Sequence, residues 1–183
     1  MSGIKGVVIL TRYDFIESNY GKETLKSFFS KIEFDDYDML RQPVIISKEY
    51  PEVLLTAIDK AMLNEFFEGQ GQHFFQLGEW NARHLMPRYF QNYIDEQNPG
   101  GFLWQMSRMR PVLIGLGDMN ITSFDKADFG IHISYGQPYT EAVKLSELGY
   151  LVEGCRMCGA KNVKSEELKR SDVSVEYQIS WDR

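Results

Sequence analysis

The residues with the most chemical potential in this sequence are Cys155 and Cys158, in the run Cys155-Arg156-Met157-Cys158, and three histidines, His73, His84 and His132. Two thiols three apart make half of a tetrahedral zinc site, and closing that site takes two further ligands. The histidines are scattered and no second cysteine pair exists. A redox pair of this spacing belongs at a helix N-terminus, where the dipole lowers the thiolate pKa. This one lies at the far end of an apolar helical run. Packing is therefore its expected role, with redox work, metal binding and lipid attachment as the alternatives. His132 sits between Ile131 and Ile133, so on a strand it points away from both, and His73 and His84 flank an aromatic segment as packing or surface groups. The sequence holds no G-x-S-x-G, phosphate-cradling loop or H-E-x-x-H. Gly115-Leu116-Gly117 lacks the preceding strand and following helix of a dinucleotide loop. The acidic pairs Asp35/Asp36 and Glu166/Glu167 lie in polar stretches and read as solvated. No catalytic constellation emerges, and the expectation is a protein that binds rather than an enzyme.

Helical periodicity dominates the first two thirds of the chain. The stretch from about Gly3 to Ile32 reads as two helices broken at Asn19-Tyr20-Gly21. The acidic run from Glu33 to Asp38 reads as a loop, and Val44 to Ser47 as a short strand or extended chain after Pro43. Pro51 is expected to begin a helix in the favoured first-turn position, with Val53, Leu54, Ala57, Ile58, Ala61 and Met62 on one face. A break at Gly69-Gln70-Gly71 leads into an aromatic helix from about Phe74. Pro87 to Ile94 reads as a further helical piece that stops near Asn98-Pro99-Gly100-Gly101. The next helix begins at Phe102, with Pro111 expected to kink or restart it.

After Asp118 the pattern changes. Ile121–Phe124, Phe129–Tyr135 and Val173–Trp181 alternate apolar and polar, the mark of half-buried antiparallel strands. Asn162 to Lys169 reads as another strand. Between them Tyr139 to Cys158 forms an amphipathic helix, closed by Gly159 in the left-handed position past its end. The expected architecture is α+β, with an N-terminal helical part packed on a C-terminal antiparallel sheet that carries one long helix. One domain is expected over 1–183, with the helical part at about 1–117 and the sheet–helix part at about 118–183.

Bulk properties exclude several classes. The net charge of −6 argues against a nucleic-acid partner, which requires a basic face. The cluster Lys161, Lys164, Lys169 and Arg170 is interrupted by Glu166 and Glu167 and reads as solvated. No window reaches the ~20 apolar residues that span a bilayer, and the N-terminal run is too short and too weakly basic for a signal peptide. Two cysteines make no secreted disulfide framework, so a cytoplasmic location is expected. Aromatic density stands out in the middle: Phe66, Phe67, Phe74, Phe75, Trp80, Tyr89, Phe90, Tyr93, Phe102 and Trp104. It reads as a well-filled core, or as a core with an apolar pocket between helices and sheet.

Five short runs, in this order of elements, carry a family resemblance. They are Lys5-Gly6-Val7-Val8, Asn19-Tyr20-Gly21-Lys22-Glu23, Phe74-Phe75-Gln76-Leu77-Gly78, Ile131-His132-Ile133-Ser134-Tyr135 and Gly159-Ala160-Lys161-Asn162-Val163. With them the chain resembles the haem-dependent nitric-oxide-binding (H-NOX) domains and their haem-free relatives. Those relatives include the vinyl-reductase-type small-ligand domain and the TRAPP-type subunits of Golgi-tethering complexes. It looks closest to a haem-free bacterial branch best known from myxobacteria.

In the sensor domains a proximal His precedes the sheet, and a Tyr-x-Ser-x-Arg run clamps the haem propionates by charge-assisted bonds. Carried across by spacing, the first position falls at or near Met109, and the second run offers Ile133, Tyr135 and Gln137. The resemblance therefore implies no haem cofactor. It implies a regulatory or adaptor domain that binds a small apolar ligand or a protein partner, with a homodimer as an open possibility. Phe74, Trp80, Trp104, Met109 and Tyr135 are the candidate pocket lining. Cys155 joins them because a buried helix thiol in the tethering subunits can carry an acyl chain. The alternatives are an interaction module with a solid core and a haem-based gas sensor.

Overall fold

A computed structural model describes residues 3–36, 38, 39, 42–89, 91, 94 and 97–182. The chain falls into two compact units, one of Met1–His73 with Val112–Gly115, the other of Phe74–Pro111 with Leu116–Arg183. The expected helical character at Phe90 and Tyr93, and the role given to the Tyr89 ring, lie outside the described residues.

In the first unit, Gly3–Lys5 is a strand (β1) rather than the start of a helix, and it pairs antiparallel with β2, Glu49–Pro51. The helix α1 starts at Gly6 and runs Gly6–Tyr20. Its first free donors are met in and just after the segment read as a strand or extended chain at Val44–Ser47: Val7 N–H donates to the Ile46 carbonyl at 3.0 Å and Gly6 N–H to that of Lys48 at 2.9 Å. Instead of a strand, Ile46 and Ser47 form a turn that caps the helix, with Lys48 N–H donating to the Ile45 carbonyl at 3.1 Å, and the ladder forms only at Glu49. Gly6 is required there, because a Cβ would strike the Ile45 carbonyl. The break after α1 falls at Gly21, whose φ of 91° favours glycine, and α2 follows as Lys22–Phe28. Pro51 does not open the next helix. Its ψ of 136° leaves it as the flanking residue, and α3 runs Glu52–Glu65. Ile9, Ile16, Leu54, Leu55, Ile58 and Met62 are buried in this unit, together with an ion pair in which Arg12 Nε donates to Asp59 Oδ1 at 3.0 Å.

The second unit holds nearly all of α4 (His73–Tyr89), most of α5 (Pro99–Leu113), α6 (Glu141–Met157) and a four-stranded antiparallel sheet. The strands are β3 (Asp118–Asp125), β4 (Asp128–Ser134), β5 (Lys161–Arg170) and β6 (Ser174–Asp182), in the order β3-β4-β6-β5. The architecture is α+β. Alternation places Phe129, Ile131 and Ile133 of β4 and Val175, Tyr177 and Ile179 of β6 on the covered face. The edge strand β5 is exposed along almost its whole length. Its lysines and two breaks in register protect an edge that would otherwise pair with another chain.

Expectations for three helices are corrected here. α4 continues through Pro87 as one helix, so no separate piece begins there. α5 starts three residues earlier than Phe102, with Pro99 in the first turn and Asn98 Oδ1 accepting from Gly101 N–H at 2.8 Å. Pro111 does not restart it, because it falls in the last turn, where little helix remains to be broken. The third correction concerns α6, which is buried on almost every side rather than on one face. Glycines explain this. Gly78 of α4 lies against the backbone of α6 at Ser146, Gly149 of α6 lies against α4 at Phe75, and Gly154 faces the Phe102 ring of α5. Thr140 caps α6 by accepting from Val143 N–H at 3.2 Å. Thr140→Ala is expected to cost about 1 kcal/mol, seen as a lower midpoint in urea with an unchanged slope.

Candidate functional site

The apolar stripe of α5 is formed by Phe102, Leu103, Met106 and Arg110, spaced so that all four share one face. A guanidinium thus stands where a core side chain would, with only 1% of Arg110 exposed. Burying such a charge alone is costly, so it needs a full set of acceptors. Glu147 of α6, 8% exposed, meets it as a two-toothed partner. Arg110 Nε donates to Glu147 Oε1, and Nη2 donates to Oε2 at 3.2 Å. Arg110 Nη1 also donates to the Leu116 carbonyl, which ties the end of α5 to the turn before β3.

Tyr135, just past β4 and 2% exposed, completes the cluster. Its hydroxyl donates to Glu147 Oε2 at 3.0 Å, its ring lies 5.1 Å from the Arg110 guanidinium, and Tyr139 stacks on it at 4.2 Å between ring centroids. Burial, followed by the Glu147 charge, pushes the Tyr135 hydroxyl well above its ordinary pKa, so it remains a donor. Burial alone would lower the Arg110 pKa, but the Glu147 carboxylate outweighs it and the net shift is upward. A second polar group lies along α6. Lys144 Nζ bonds Glu141 and Glu167, each at 2.7 Å, and Arg170 bonds Glu141 at 3.2 Å. What this arrangement does chemically is hold the Arg110–Glu147 charge pair and Tyr135 in fixed geometry away from water, with the half-buried Tyr139 stacked against them.

The six residues singled out in the sequence are distributed over this unit. Phe74 on α4, Tyr135 after β4 and Cys155 on α6 are buried. Met109 on α5 is half-buried. Trp80 is half-buried and stacks on His84 at 3.9 Å. Trp104 is 43% exposed. Tyr135 belongs to the cluster just described. Cys155 and Cys158 are buried, and burial raises the Cys155 pKa far from thiolate formation. Arg110 and Glu147 were missed by the sequence reading. A signal existed: Arg110 stands four residues after Met106 on the apolar face of α5, and Glu147 stands midway between Val143 and Leu151.

No family model matches this chain, and no curated protein sequence matches it. Its fold, however, is similar to solved structures of H-NOX domains. An H-NOX structure used to probe haem distortion has a TM-score of 0.76 at 12% identity, over 98% of this chain and 95% of that one. An oxygen-binding H-NOX domain related to soluble guanylate cyclases has a TM-score of 0.75 at 12% identity, over 98% and 95%. A mutant of the T. tengcongensis H-NOX domain has a TM-score of 0.74 at 11% identity, over 98% of each chain. At such identities the likeness shows the fold alone.

Proposed function

We propose that this chain is a haem-free regulatory or adaptor domain that binds a small apolar ligand or a protein partner and is not an enzyme. The observation that carries this reading is the Arg110–Glu147–Tyr135 cluster, set in a fold similar to that of H-NOX domains. A haem would need an iron ligand on α5 and cations for its propionates. α5 has no histidine, and Met109, the residue in register, is half-buried beside the committed Arg110. At the clamp positions Ile133 is apolar, Tyr135 already donates to Glu147, and Gln137 brings an amide in place of a cation. These residues do not fit a haem. The absence of a membrane-spanning helix among the described residues agrees with a domain that works at a pocket or a surface.

The test is native mass spectrometry of freshly purified protein with a visible absorption scan, followed by titration with haemin. The expected protein is colourless and forms no stoichiometric complex with a Soret band. Retained mass of lipid size supports the small-ligand form of the reading, and a bare polypeptide supports the protein-partner form. A stoichiometric Soret band on purification or titration overturns it.

A further inference from the structure

One buried polar atom in the second unit stands apart from the networks above. Tyr177 on β6 is 1% exposed, and no protein atom among the described residues bonds its hydroxyl. Such a group costs stability unless something pairs with it, and most buried hydroxyls are paired. Its direction follows from the register. Tyr177 lies opposite Glu167 of β5 and Ile131 of β4, on the same face of the sheet. Glu167 reaches Lys144 of α6 from that face, so the Tyr177 side chain is also directed toward α6.

The chemistry of what pairs with it is constrained by its neighbours. The charges of Glu167 and Glu147 lie close enough to add to the effect of burial and raise the hydroxyl's pKa, so Tyr177 remains protonated and donates. Its partner must accept. An anion is disfavoured, because Glu147, Glu167 and Glu141 already have their cations in Arg110, Lys144 and Arg170, and a further negative charge would be buried unpaired. A cation has nothing to accept with.

The geometry points to a hydrogen-bonding site for a neutral oxygen acceptor, held by the Tyr177 hydroxyl between β6 and α6. Two sources share this chemistry: a trapped water, and the carbonyl oxygen of an apolar small molecule. The second rests on the ligand-binding reading above, and the first does not.

The test is Tyr177→Phe in the full chain, which removes one oxygen and leaves the ring. If the hydroxyl is occupied, the folding equilibrium constant measured in urea falls about three- to tenfold. A crystal structure of the unsubstituted protein would then show oxygen-sized density about 2.7–2.8 Å from the Tyr177 oxygen. Loss of the retained mass in the variant, read by native mass spectrometry, assigns the acceptor to a small molecule. Destabilisation with no retained mass in either protein assigns it to water, and the site stands without the ligand reading. An equal or larger folding constant in the variant overturns the site, because deleting an idle buried hydroxyl relieves a cost. If the unsubstituted protein nevertheless retains a ligand, the functional reading survives that result.

Discussion

Gly149→Ala is expected to cost this protein about 3 kcal/mol, at the upper end of what overpacking does in a closed interior. A methyl at this position would drive into the carbonyl of Phe75 on α4, and the amide of Glu79 lies just beyond. Both are helix backbone, which cannot rotate aside as a side chain can. The better helix propensity of alanine returns about 1 kcal/mol at most, so the clash wins. Gly78→Ala meets Ser146 of α6 from the other side of the same crossing and is expected to behave alike. Gly71→Ala is the control: its added carbon meets nothing within 4 Å, and the expected change is within about 0.5 kcal/mol. Urea denaturation of the three variants checks the ordering. Equal stabilities would mean that α4 and α6 do not cross at these glycines.

The second large effect concerns the buried charge pair. Arg110→Met alone leaves the Glu147 carboxylate without its cation, and Glu147→Leu alone strands a guanidinium that is 1% exposed. Each is expected to cost about 3–5 kcal/mol. The double variant carries two apolar side chains in contact and should recover most of that loss, with a coupling of about 2 kcal/mol or more in the cycle. Tyr135 sets a limit on the recovery, since its hydroxyl loses the acceptor it has at Glu147 Oε2. Adding Tyr135→Phe to the double variant is therefore expected to raise stability further. Additive single effects would show that the two residues do not share a bond.

The sequence carried the sheet well and the cluster poorly, for identifiable reasons. β4 and β6 show strict alternation because one face is covered and the other meets solvent, so Ile131, Ile133, Val175 and Ile179 announce their side directly. α6 gave a misleading amphipathic signal. It is covered by the sheet and by close helix crossings, and the residues that permit those crossings are glycines, which have no hydropathy to display. β1 was invisible because three residues are too few for a period, and its partner lies 46 residues away at Glu49–Pro51. Arg110 gives no hydropathy signal of its burial, because a guanidinium is almost never fully buried unless paired. Its place on the apolar face of α5 could have revealed it, but the identity of its partner on α6 is a property of the tertiary fold.

The division of the chain bears on how it is made. The first unit is not closed by its own first 73 residues, because Val112–Gly115 belong to it. Lys5 N–H donates to the Ile114 carbonyl at 3.1 Å, and Gly115 lies against the Gly3 carbonyl with a φ of 83°. During vectorial synthesis the N-terminal strand can pair with β2, but its Lys5 N–H is left to water until the ribosome has delivered all of α4 and α5. A nascent chain halted before Val112 holds an incomplete unit with an open flank, and a truncation placed after His73 reproduces that state permanently. Excising the first unit as a fragment requires grafting the four residues back onto it.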